Sequence, residues 1–206
     1  MTTEAVTIDA HGTLVTLRDP VPALQRALAE RGAPRDEATI RRAFEREVAF
    51  YVPRSHTGRD SKSLAALRAE CARVFTEAAA ADVSEFADAF AESISFEELP
   101  GARAACAALR DAGLSLAVVS NWDIGLHEHL ERLGLDAAVD SVVTSAEVGA
   151  QKPAPDVFLA ALARLEAKAE RAVHVGDDPA DEAGALAAGM RFEPAPLEAA
   201  ARRILT

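Results

Sequence analysis

The order of strand-like and helix-like segments predicts an α/β fold: a parallel sheet whose first strand is separated from the others by a long helical insertion. Three observations carry this. A short apolar, β-branched run at residues 5–9 is followed, from about Pro20 to Glu97, by helical periodicity that no convincing strand interrupts. After Pro100, strands alternate with helices, which is the pattern of βαβ units and so of a parallel sheet. The chain has 206 residues, 50% of them hydrophobic, enough for one domain with a sizeable insertion to bury a core.

The elements follow in order. Val6, Thr7 and Ile8 give the first strand its β-branched character, and Gly12 permits a tight turn after it. Val21, Leu24 and Leu28 recur at helical spacing until Arg31 and Gly32 stop the helix. Ile40, Phe44 and Val48 mark a second helix. Leu64, Leu67, Cys71, Val74 and Phe75 mark a third, and Phe86 and Phe90 a fourth, with Ser84 as its expected cap. Beyond Pro100, a helix at 102–112 leads to a strand at 115–119. A helix at 123–133 leads to a strand at 139–143, and a helix at 155–167 to a strand at 172–175. A last helix runs from about 179 to 188 and ends at Gly189.

Charge narrows the partners. The net charge is −11, from 33 acidic and 22 basic residues, and such a chain lacks the basic face that nucleic acid or an anionic membrane requires. A small anionic substrate remains compatible, because a few focused cations hold one. No apolar run is long enough to span a bilayer and none precedes the first strand, so a cytoplasmic protein is expected. Monomer and homodimer both fit. Cys71 and Cys106 lack metal-ligand spacing and read as buried, reduced thiols.

Polar residues gather at strand ends. Asp9, Ser120, Ser145 and Asp177 each lie just after an expected strand, and open α/β sheets build their sites beyond those ends. Each residue has a plainer reading beside the functional one. Asp9 and Thr13 suit a turn, although Thr13 can also bind a substrate oxygen. Ser120 and Asn121 can cap the next helix, and a cap also aims N–H groups at an anion. Lys152 is a surface lysine or a site cation, held in an extended loop by Pro153. Asp177, Asp178 and Asp181 form an acidic helix N-terminus, or they converge with Asp9 around a cation, for which Mg²⁺ is expected. Trp122 walls a pocket or packs on its helix. His127 and His129 are expected to face solvent, His174 is expected to be structural, and no zinc site is indicated. In the insertion, Arg54, His56, Arg59 and Lys62 greet an anion or occupy a solvated loop.

Four stretches together resemble a known family. They are Thr-Ile-Asp-Ala-His-Gly-Thr-Leu at 7–14, Val-Val-Ser-Asn-Trp-Asp at 118–123, Gly-Ala-Gln-Lys-Pro-Ala-Pro-Asp-Val-Phe at 149–158, and the run opening His-Val-Gly-Asp-Asp at 174–190. In this order they are similar to the motifs of haloacid dehalogenase superfamily hydrolases with a helical cap inserted after the first strand. The resemblance implies a Rossmann-like parallel sheet core at 1–15 and 98–206 and an inserted helical-bundle cap at 16–97, with hinges near 15–19 and 97–101. It implies Asp9 as nucleophile and Lys152 as the neutralising cation. Ser120 and Asn121, with Lys152, would hold the transferring oxygens, and Thr13 and Trp122 keep their two readings beside them. Mg²⁺ would sit on Asp9, the backbone carbonyl of His11 and Asp177, with Asp178 or Asp181 in support.

Three departures from the family pattern stand out. His11 replaces the usual acid/base aspartate, and a histidine can shuttle a proton near neutral pH. The loop after Gly176 is about one residue short. Pro194 and Pro196 point to a stunted final edge strand. The implied activity is a Mg²⁺-dependent phosphatase. The alternatives are a metal-independent 2-haloacid dehalogenase, for which Arg41, Arg42 or Arg54 would face the substrate, and a weakly active binding or regulatory protein on the same scaffold.

Overall fold

The computed structural model describes residues 2–206. Along the chain run β1 (Ala5–Ile8), β2 (Val15–Leu17), α1 (Val21–Ala29), α2 (Glu37–Tyr51), α3 (Ser61–Ala78), α4 (Ala87–Ser93) and β3 (Phe96–Glu98). Then come α5 (Ala102–Asp111), β4 (Ser115–Ser120), α6 (Leu126–Leu133), β5 (Ser141–Thr144), α7 (Ser145–Val148), α8 (Asp156–Arg164), β6 (Ala172–Gly176), α9 (Pro179–Ala187), β7 (Arg191–Pro194) and α10 (Leu197–Ile204). Contacts divide the chain into two units, one of residues 1–16 and 97–206 and one of residues 17–96.

The first unit is built on a five-stranded sheet in the order β5-β4-β1-β6-β7, every pairing parallel. All four residues of β1 are buried, as a central parallel strand requires. Ala117 and Val119 pack with Val157, Phe158 and Ala161 of α8. Leu116 and Val118, of opposite parity on β4, are also fully buried, so both faces of the sheet are covered. The chain passes from β1 to β4 on one side and later returns to β6 on the other. The strand order therefore reverses at β1, and the crevice beyond its carboxyl end is where such sheets bind ligands.

The second unit is helical. Leu24, Leu28, Ile40, Phe75, Phe86 and Phe90 form its core, with the Phe75 ring 5.2 Å from Phe90 and 6.0 Å from Phe86. Asp36 caps α2 through the Thr39 N–H, and Asp60 caps α3 in a capping box with Ser63. The short strands β2 and β3, where the chain leaves the sheet and returns to it, pair as a separate two-stranded sheet.

Several local expectations change. The fourth insertion helix starts at Ala87 behind Phe86, which offers no side-chain cap, so Ser84 does not cap it. The helix expected from 123 begins at Leu126, because Asp123 Oδ1 accepts the Gly125 N–H at 2.7 Å and closes a turn first. The strand expected at 139–143 begins at Ser141, since residues 136–138 form a 3₁₀ turn. The tail is not stunted. β7 pairs in parallel with β6 over four residues, with Pro194 at the outer edge, where a missing N–H costs no ladder bond. The unanticipated α10 then buries Leu197, Ala200 and Ala201, at i, i+3 and i+4. Cys71 and Cys106 are buried thiols that form no disulfide. Among the described residues, no helix is long and apolar enough to cross a membrane.

Candidate active site

Asp9 leaves β1 at the switch point and is 5% exposed. Its N–H donates to the Val175 carbonyl at 2.8 Å, so the backbone is still tied to β6 at the residue that turns outward. A tight turn follows, in which Leu14 and Val15 both donate to the Ala10 carbonyl. Gly12 sits in this turn at φ +85°, and a Cβ there would lie 2.2 Å from Asp177 Oδ2. Glycine thus lets the loop after β1 approach the loop after β6. Thr13 is buried, and its hydroxyl donates to Asp177 Oδ1 at 3.4 Å, orienting that carboxylate.

Lys152 joins the two loops' carboxylates. Its Nζ lies 2.5 Å from both Asp9 Oδ1 and Asp181 Oδ1, and donates to the Val119 carbonyl at 3.3 Å. The Ser120 hydroxyl donates to the same Asp9 oxygen at 3.2 Å. Oδ1 of Asp9 is thereby held by two donors, and Oδ2 lies outside this set. Asn121 fixes the lysine's backbone. Its Oδ1 accepts the Lys152 N–H at 2.7 Å, and its Nδ2 donates to the Lys152 carbonyl at 3.0 Å.

Asp181, on α9, is completely buried. Its Oδ2 accepts the Asp178 N–H at 3.1 Å, while Asp178 caps the helix by accepting the Ala180 N–H at 2.8 Å. A Cβ on Gly176 would stand 2.4 Å from Asp181 Cγ, so that glycine makes room for the carboxylate. His174 Nε2 is 3.1 Å from Asp181 Oδ1, and Thr7 Oγ1 is 2.8 Å from His174 Nδ1.

These surroundings set the charges. Burial pushes Asp9 up to about 6, against the downward pull of the Lys152 ammonium. Burial works to lower Lys152, but Asp9 and Asp181 outweigh it and hold the ammonium above its ordinary value. Burial would raise Asp181, yet the His174 hydrogen bond and the Lys152 charge bring it well below the usual carboxylate range. Burial pushes His174 below its ordinary value, disfavouring the charged ring against the pull of Asp181. Carboxylate oxygens of Asp9, Asp177 and Asp181 fall within 4.8 Å of one another. One lysine faces three acids there, and this all-oxygen set suits a hard divalent cation.

The residues singled out from the sequence separate into two groups. Asp9, Thr13, Ser120, Lys152, Asp177 and Asp181 come together. The others have different engagements. His11 is exposed and its backbone bridges to Val15. Asp178 is held as a helix cap and lies outside the carboxylate cluster. The Asn121 amide is occupied by the Lys152 backbone, and Ser145 donates to the Trp122 carbonyl. Trp122 is buried with its ring 6.0 Å from that of His129, so His129 is half-buried where a solvent-facing residue was expected. Thr7 and His174 were not expected near the site. Their signal was a polar residue at the same register on neighbouring buried strands, which only the pairing of β1 with β6 reveals.

Residues 3–189 match the family of haloacid dehalogenase-like hydrolases. The chain belongs to that family. This haloacid dehalogenase-like hydrolase is 35% identical over 195 residues to a phosphoglycolate phosphatase of Rhodospirillum rubrum, an alignment covering 91% of the chain and 77% of that protein. It is 43% identical over 101 residues to a ribulose-1,5-bisphosphate 5-phosphatase of Halopiger xanaduensis, covering 47% of the chain. The match spans less than half of that relative, 42% of its length. The fold superposes on the L-2-haloacid dehalogenase of Xanthobacter autotrophicus with a TM-score of 0.68 at 22% identity, over 93% of this chain and 76% of that one.

Proposed function

We propose that this hydrolase is a phosphatase that cleaves a small phosphomonoester through a covalent intermediate on Asp9. The observation that carries the reading is the Asp9 carboxylate itself. It is buried at the switch point, with Oδ1 held by Lys152 and Ser120 and Oδ2 outside that set, beside two further acids. Oδ2 attacks phosphorus, the bond to the leaving alcohol oxygen breaks, and water then splits the aspartyl-phosphate to return the carboxylate. Lys152 and Ser120 orient the nucleophile, and the ammonium offsets charge on the transferring oxygens. Asp9, Asp177 and Asp181 would hold Mg²⁺, with the His11 backbone in support; when bound, it neutralises the anionic oxygens of the substrate. The phosphatase names of the R. rubrum and H. xanaduensis relatives support this reading. Residues 17–96 serve as the cap that selects the substrate.

His11 is the group this chain offers for proton transfer to the leaving alcohol. His11→Ala then slows hydrolysis of an alkyl phosphate by about 10²–10⁴-fold, the usual worth of general acid–base help. It changes p-nitrophenyl phosphate much less, because that leaving group departs without a proton.

The reading is tested by assaying p-nitrophenyl phosphate with Mg²⁺ and with EDTA, beside 2-chloropropionate, for wild type and Asp9→Asn. Phosphate release that EDTA and Asp9→Asn both abolish is expected. EDTA-insensitive chloride release without phosphatase turnover would make the chain a dehalogenase. No turnover of either would leave a binding protein.

A further inference from the structure

A line of hydrogen bonds reaches the candidate nucleophile from inside the sheet. Thr7 and His174 are register partners on β1 and β6, and both are fully buried. Strand alternation puts Thr7 on the same face as Asp9, and His174 on the same face as Gly176. The imidazole is wedged. Phe158 meets it edge-on, with centroids 4.9 Å apart, and Phe158 reaches that position because residue 184 is glycine, whose Cβ would lie 2.4 Å from the Phe158 ring. Thr7 Oγ1 faces one ring nitrogen at 2.8 Å and Asp181 Oδ1 faces the other at 3.1 Å. A carboxylate only accepts, so the nitrogen facing it must carry the proton. The Thr7 hydroxyl can donate, and so completes the opposite nitrogen. Without that proton, two lone pairs would meet in a site sealed from water.

Asp181 Oδ1 also accepts from Lys152, which in turn holds Asp9. The direction in which Asp181 points therefore decides where the ammonium sits relative to Asp9. We propose that His174 is a positioning residue. Its Nε2–H, fixed by the Thr7 hydroxyl on Nδ1, aims Asp181 at Lys152 and so holds Lys152 against the nucleophile. The hydrogen bond stands on the structure alone; only its effect on rate rests on the phosphatase reading.

Two measurements test this separately. In protein labelled with ¹⁵N-histidine, long-range ¹H–¹⁵N correlation reads the His174 ring directly, assigned by the signal lost in His174→Gln. A proton on Nε2 with Nδ1 as acceptor is expected, and an unprotonated Nε2 overturns the proposal whether or not any phosphomonoester is turned over. The second measurement compares His174→Met with His174→Gln, which are similar in size but differ in the N–H that Gln presents. With folding checked by circular dichroism, His174→Met is expected to lower kcat by about 10–100-fold, the cost of misplacing a group at the chemistry. KM should move little, and His174→Gln should recover at least about fivefold of the loss. Folded Met and Gln variants with equal kcat, or a Met variant at wild-type kcat, overturn the positioning role. If neither variant folds, the ring protonation of the wild type still decides, its signal then being assigned by nuclear Overhauser contacts to the Phe158 ring 4.9 Å away.

Discussion

Replacing Lys152 with Met should destabilise this chain far more than the loss of an ordinary lysine. The ammonium touches two buried carboxylate oxygens at 2.5 Å each, and the three side chains are 5%, 7% and 0% exposed. At an effective dielectric of about 20, each contact carries roughly 6–7 kcal/mol of gross Coulomb attraction. Most of that is offset by the desolvation of the ions. What remains on deleting one partner is the cost of an uncompensated buried charge, about 3–5 kcal/mol. The comparison that isolates this origin is Lys152→Met against Lys152→Met/Asp181→Asn, both by urea unfolding. The double variant removes one stranded carboxylate and should recover a large part of the loss. The pH dependence has a definite sign. Burial opposes the lowering of Asp181, but His174 and Lys152 hold that carboxyl well below its ordinary value of 3.8. The resulting stability is present above the unfolded value and disappears only as pH falls through the folded one. Lys152→Met loses it, so the gap to wild type is widest at neutral pH and narrows below about pH 4. A single-variant loss under about 1 kcal/mol, or a double variant no more stable than the single, would refute the reasoning.

Three further outcomes follow from the same geometry. Gly12→Ala forces a side chain into φ +85° and against Asp177 Oδ2, so it should cost about 1–2 kcal/mol in denaturation; it should also lower phosphatase turnover, and wild-type behaviour on both counts would contradict the close approach of the two loops. In EDTA, the Asp9 carboxyl should titrate in ¹³C spectra near the value of about 6 to which burial raises it, and Mg²⁺ should move that midpoint down; a midpoint indifferent to Mg²⁺ would remove Asp9 from the cation site. Glu47 is 5% exposed in α2, and burial pushes its carboxyl up, only partly opposed by a Cys71 hydrogen bond. The folded state therefore favours the protonated form, and its stability declines as pH rises from the ordinary value of 4.5 through the raised one. The melting temperature of Glu47→Gln should gain on wild type between about pH 5 and pH 8, and a constant difference would contradict this.

The convergence of the site was legible in the sequence because it follows from topology. Once β1, β4 and β6 are placed in one parallel sheet, Asp9, Ser120 and Asp177 must leave it on the same side, and Lys152 lies on a loop between them. What each side chain holds was less legible. Asn121 sits beside Ser120 in a stretch that reads as ligand-facing, yet its amide matches the N–H and C=O of Lys152, a pairing that depends on the path of a loop 31 residues away. Asp177, Asp178 and Asp181 look equivalent as letters. Helix geometry separates them, since the residue at the cap must turn to the Ala180 N–H while the one three positions on turns inward. His174 looked structural because a histidine between two valines in a strand is usually packing. Its contact with Asp181 needs both the register against Thr7 and the start of α9 to be known. β7 was expected only as a stunted strand because two prolines mask the edge, and α10 was missed because eight residues give barely two turns of periodicity, although Leu197, Ala200 and Ala201 fall on one buried face.

The most direct test of Asp9 as the group that takes the phosphoryl group is a rapid acid quench of the Mg²⁺-loaded protein with a ³²P-labelled phosphomonoester, followed by peptide mapping. Label on the peptide containing Asp9, present in wild type and absent in Asp9→Asn, is the result predicted. Steady turnover with no labelled peptide at any quench time, or undiminished turnover by Asp9→Asn, would contradict it.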